Sequence, residues 1–145
     1  MSRGEPRGPI GAPITLSIPR AIVDEMVAHC SREAPIEACG LLSGRGPIVE
    51  RIHILTNTAR SEVRYDADPR ELIEIDRFLR SQASDILAIY HSHPRWSAVP
   101  SKTDLRENYH EGTPRIIVSL LTDPADVRVW RYSSASYTEL AWEIV

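Results

Sequence analysis

The chain has 145 residues, a formal charge of −3 and 42% hydrophobic residues. That length fits one domain able to bury a core without staples. The mild acidity gives no electrostatic reason to expect nucleic acid or an anionic membrane, and no apolar run approaches the roughly 20 residues that span a bilayer.

Residues 1–13, MSRGEPRGPIGAP, mix charge, proline and glycine without the apolar centre of a secretory signal. They read as a flexible N-terminal tail ahead of one domain at 14–145. Cys30 and Cys39 are the only cysteines. With no export signal, free thiols in a reducing cytoplasm are expected.

ITLSI (14–18) alternates as a strand does, and Pro19 suits the first turn of a helix that runs to about Arg32. EACGLLSGRG (37–46) reads as a buried strand closing in a glycine turn, and PIVERIHILTN (47–57) as its hairpin partner. EVRYD (62–66) is expected as a short strand. Asp68-Pro69 starts a second helix with Leu72, Ile75, Phe78 and Leu79 on one face. ILAIYHSH (86–93) is a strand that stays apolar until its end. A loop, PRWSAVP, leads to a short helix from Ser101, and strands at 115–123, 127–134 and 137–145 complete the chain. The pattern predicts an α/β (α+β) domain with a mixed, mostly antiparallel sheet.

On a strand, side chains at i and i+2 share a face, so His91 and His93 point one way while Tyr90 and Ser92 point the other. Two adjacent imidazoles are half of a zinc site, although a bare His-x-His pair is more often two satisfied or solvent-facing histidines. Ser101 and Asp104 fit a helix N-terminal capping box. That reading is compatible with a second one, in which the fixed Asp104 carboxylate joins the two histidines as a third ligand. Three protein ligands leave a fourth position for water, the mark of a catalytic zinc. Such a water needs a base, and Glu37, a charge leading into an apolar run, is the candidate.

Glu37 with Ala38-Cys39-Gly40, then His91-x-His93, seven residues, Ser101, two residues and Asp104, resembles the JAMM motif of the MPN-plus (JAB1/Mov34) zinc metalloproteases. The resemblance runs from about Ile14 to the end. It implies a curved mixed sheet flanked by helices, similar to cytidine deaminases, and one zinc per chain held by His91, His93 and Asp104. It also implies Glu37 as general base and Ser101 as the hydroxyl that stabilises the oxyanion. Deaminase chemistry is not expected, because the His-x-Glu and Pro-Cys-x-x-Cys elements are missing.

The family cleaves amide or isopeptide bonds after the C-terminal glycines of ubiquitin-like proteins. The short chain is similar to the small prokaryotic branch, such as the peptidase that frees cysteine from a sulfur-carrier protein. The partner implied is a ubiquitin-like or sulfur-carrier protein ending in Gly-Gly. Removal of a small modifier from lysines is the alternative. An inactive MPN scaffold and a RadC-like domain are less suited: all five motif positions stand here, and Ser92 replaces the asparagine typical of RadC. Trp96, just past the histidines, is either a packing plug or part of the substrate wall. Cys39 and Gly40 read as packing residues, Gly40 close to the metal. His29, His53 and His110 are set apart from the site, and Trp130 and Trp142 are expected in the core.

Overall fold

The computed structural model describes residues 4–106 and 112–145; His110 lies outside them. In chain order the described elements are β1 (Glu5–Arg7), β2 (Ile14–Ile18), α1 (Arg20–Glu33), β3 (Cys39–Arg45) and β4 (Ile48–Leu55). Then come α2 (Pro69–Gln82), β5 (Asp85–His93), α3 (Lys102–Arg106), β6 (Arg115–Ser119), β7 (Asp126–Ser133) and β8 (Ser136–Ile144). The strands form one sheet in the order β1-β8-β2-β4-β3-β5-β6-β7. β8 also pairs with β7, so the sheet curls round to close on itself through β8. Pairings β2–β4, β2–β8 and β5–β6 are parallel and the rest antiparallel, a mixed and mostly antiparallel sheet.

Period-two alternation sorts the two faces. Leu42 of β3 and Ala88 and Tyr90 of β5 pack with Ile22, Val23, Met26 and Cys30 of α1. Cys39 and Leu41 of β3 join Ile89 of β5 and Leu72 and Ile75 of α2 on the opposite side. Each fully buried Leu, Ile or Met in these layers contributes roughly 1.5–3 kcal/mol relative to exposure. Trp130 and Trp142 are buried, as expected. His29 is buried too, its Nδ1 2.7 Å from the Tyr90 hydroxyl. α2 starts as its sequence dictates: Asp68 Oδ1 accepts the Arg70 N–H at 2.9 Å, with Pro69 in the first turn. α1 starts one residue later than expected, with Pro19 at the N-cap.

Two departures matter for the site. EVRYD is not a strand; Asn57 and Ala67 form an isolated bridge, and the chain between them loops out. The physical reason is Asn57, whose side chain occupies the Arg64 carbonyl and the Asp66 N–H, groups a ladder would need. Within residues 1–13, expected as a tail, Glu5–Arg7 pairs antiparallel with Trp142–Ile144 of β8, and Glu5 bonds to Arg20 of α1. Short-range alternation gave no cue for a three-residue strand. Gly40 also has a different role from the one expected. It is packed against the Tyr90 ring, where any Cβ would collide, on the face turned away from the histidines.

Candidate active site

β5 is held on both sides, antiparallel to β3 and parallel to β6, so its carboxyl end has little freedom. His91 and His93 are fully buried there. Their Nε2 atoms stand 3.2 Å apart, and the Asp104 carboxylate reaches both: Oδ1 to His91 Nε2 at 3.1 Å and Oδ2 to His93 Nε2 at 3.0 Å. Three donor atoms thus converge within 4.8 Å of one another. Ligands about 2.0–2.1 Å from a tetrahedral zinc lie about 3.3 Å from one another, and the separation of the two Nε2 atoms fits that ion. His93 is oriented for it, since its Nδ1 donates to the Ser97 carbonyl at 2.7 Å and turns Nε2 inward, where losing its proton would free a lone pair for a metal.

Asp104 is placed by the capping box. The Ser101 N–H donates to Asp104 Oδ2 at 2.9 Å, and the Asp104 N–H donates to Ser101 Oγ at 3.0 Å. Burial alone would raise the Asp104 carboxyl. The His91 charge, with hydrogen bonds from His91, His93 and the Ser101 N–H, outweighs burial and holds it well below the usual carboxylate range. His93 shows the mirror image: burial opposes its charge, but bonds to Asp104 and the Ser97 carbonyl raise it.

Glu37 precedes β3 and is buried. The Ala38 N–H donates to Ser92 Oγ at 2.8 Å, and the Ser92 N–H donates to the Ala38 carbonyl at 3.0 Å. These bonds continue the register that sets Cys39 opposite His91. Glu37 lies two residues before Cys39, and carrying that register on would set it opposite His93. Ser92, the middle of the His-x-His pair, therefore fixes the segment that carries Glu37.

The loop after the histidines is pinned by its main chain. Ser119 Oγ donates to the Trp96 carbonyl, and Trp130 Nε1 donates to the Ala98 carbonyl at 2.9 Å. The Trp96 side chain is 59% exposed, which removes the packing-plug reading.

Sequence reasoning missed three residues around the site. The Tyr65 ring stacks on His91, with centroids 5.0 Å apart and planes 27° from parallel. Buried Arg115 donates to the Tyr65 hydroxyl at 3.4 Å and lies over the Tyr132 ring. Asn57 ties the Tyr65 loop to the main chain of Glu37. A buried arginine in an apolar strand and an asparagine at a strand end were the available signals. A cavity of about 190 Å3 adjoins His91 and Asp104, walled by Leu41, Leu55, Leu72 and Ile89.

A family model described as prokaryotic homologs of the JAB domain matches residues 19–133. The chain belongs to this Prok-JAB family. A probable TtuB-protein conjugate cleaving protease of Thermus thermophilus is 42% identical over 95 residues, covering 65% of this chain and 64% of that protein. The CysO-cysteine peptidase of Mycobacterium tuberculosis is 34% identical over 133 residues, covering 89% and 90%. A JAB1/MPN domain protein from Archaeoglobus fulgidus shares the fold, with a TM-score of 0.61 at 21% identity, covering 90% of this Prok-JAB chain and 98% of its own.

No helix among the described residues is long and apolar enough to cross a membrane. Cys30 and Cys39 are buried and unpaired with each other, and burial pushes each thiol up to about 12. Both are expected to stay unmodified by iodoacetamide at pH 8 in the folded protein, read by intact mass. Rapid native alkylation of Cys39 would show that the site wall opens.

Proposed function

We propose that this Prok-JAB protein is a zinc-dependent peptidase that hydrolyses the amide bond after the C-terminal Gly-Gly of a ubiquitin-like or sulfur-carrier protein. The observation carrying the proposal is the convergence of His91, His93 and Asp104, with Glu37 buried just ahead of the strand that pairs with theirs. Of the two relatives described above, one is named for cleaving a TtuB-protein conjugate and the other as a CysO-cysteine peptidase, which supports hydrolysis of a protein's amide bond here.

His91, His93 and Asp104 would hold about one zinc per chain. When bound, zinc supplies Lewis acidity that polarises a carbonyl and lowers the pKa of water. Glu37 takes the proton of the attacking water at a carboxylate oxygen and returns it to the departing amine nitrogen. Ser101 Oγ accepts the Asp104 N–H, so its own proton is available to donate to the carbonyl oxygen as negative charge develops there. Helix cap and oxyanion donor are thus compatible roles for one hydroxyl. The exposed Trp96 ring borders the incoming tail as a wall.

A wall of this kind would leave little width on the acyl side. A Cβ on either glycine would push the carbonyl off its position, and about 1 Å of misplacement costs on the order of 10²-fold. The test is a ubiquitin-like carrier extended by one residue beyond Gly-Gly, with an Ala-Ala counterpart, followed by intact mass. The Gly-Gly fusion is expected to be cut after the second glycine and the Ala-Ala fusion about 10²-fold more slowly. Equal cleavage of the two would refute the narrow-tail model.

A further inference from the structure

We infer that Asn57 is a positioning residue that aligns the Glu37 segment and the His91 ring through a single buried carboxamide. The inference rests on the zinc-peptidase reading and adds a residue that the motif does not contain.

Asn57 is 8% exposed and uses all four hydrogen-bonding positions of its amide. Nδ2 donates to the Glu37 carbonyl at 2.9 Å and to the Arg64 carbonyl at 3.0 Å. Oδ1 accepts the Ala59 N–H and the Asp66 N–H, both at 3.0 Å. Every partner is a main-chain group of fixed polarity, so the amide has one acceptable orientation. Two of the bonds bracket Tyr65 on either side. A third fixes the carbonyl of Glu37, whose N–H donates to Ser61 of the same loop at 2.9 Å.

Tyr65 matters because the two histidines are held differently. His93 has an outer hydrogen bond to Ser97, whereas His91 Nδ1 is buried with no hydrogen-bond partner among the described residues. A metal-binding imidazole is normally oriented by such a bond. For His91 the Tyr65 stack supplies the orientation, and Asn57 holds the stack in place.

The test compares Asn57→Asp and Asn57→Ser with the full wild-type chain. Asn57→Asp turns an acceptor toward two carbonyls; Asn57→Ser removes the bonds without adding that repulsion. With folding checked by circular dichroism, zinc affinity is measured by competition with a chromophoric chelator, and kcat and KM on the Gly-Gly fusion. Affinity is expected to fall about 10–100-fold. The kcat should fall on the order of 10²-fold with KM little changed, because the tail is still bound while the reacting groups are misaligned. Tyr65→Phe keeps the stack and should keep zinc affinity, whereas Tyr65→Leu should lose affinity as the Asn57 variants do. That pair decides the matter should both Asn57 variants fail to fold. Wild-type zinc affinity and kcat in a folded Asn57 variant, or wild-type zinc affinity in Tyr65→Leu, overturns the inference alone. A wild-type protein that takes up no zinc defeats the proposed function and this inference with it.

Discussion

Replacing Glu37 with glutamine is expected to lower turnover of a Gly-Gly fusion by about two to four orders of magnitude while leaving bound zinc in place. Glutamine keeps the shape of the side chain and the main-chain bonds to Ser61 and Asn57. It cannot accept a proton. The ligand set, His91, His93 and Asp104, is untouched, so metal content and catalysis should separate in this one variant. The comparison requires zinc analysis and kinetics on the same preparation. Near-wild-type hydrolysis by Glu37→Gln would remove Glu37 as the base. Loss of zinc together with activity would instead make Glu37 part of the metal's support.

Ser101→Ala should also retain zinc, and lose about 10²–10³-fold in kcat, the usual cost of one oxyanion donor. It carries a second effect of different origin. The Asp104 N–H loses its acceptor at the start of α3, which costs roughly 1 kcal/mol of stability. The Ser101 N–H bond to Asp104 Oδ2 is main-chain and survives, so the carboxylate should stay in place. A thermal melt beside the kinetics separates the two. A lowered Tm with kcat unchanged would leave Ser101 a helix cap and nothing more.

What could be read from the sequence was what is local in it. The face shared by His91 and His93 follows from strand geometry, and the Ser101–Asp104 box from helix geometry; both stand as expected. Glu37 stood out as a charge leading into an apolar run, but only the resemblance gave it the role of base. The sheet order was illegible for a physical reason. Alternation tells which face of a strand is buried but not which strand lies beside it. The hairpin of β3 with β4 was expected from its turn, but β2 beside β4, and β8 shared by β1, β2 and β7, could not be foreseen.

Tyr65 illustrates the same limit within the site. In EVRYD it sits in an alternating run that scores as strand, yet its neighbours' main-chain groups belong to Asn57, seven or more positions upstream. Side-chain capture of main-chain groups across a loop is invisible to a periodicity argument. Arg115 was passed over because it opens an apolar strand. It is buried against two tyrosines that no local pattern links to it.

The central claim, that His91, His93 and Asp104 form one metal centre, is tested most directly by elemental analysis of the wild type and of His93→Ala. About one zinc per wild-type chain, and loss of most of it in a folded His93→Ala, is the expected result. Full zinc retention in His93→Ala, or a wild type that takes up none, would contradict it.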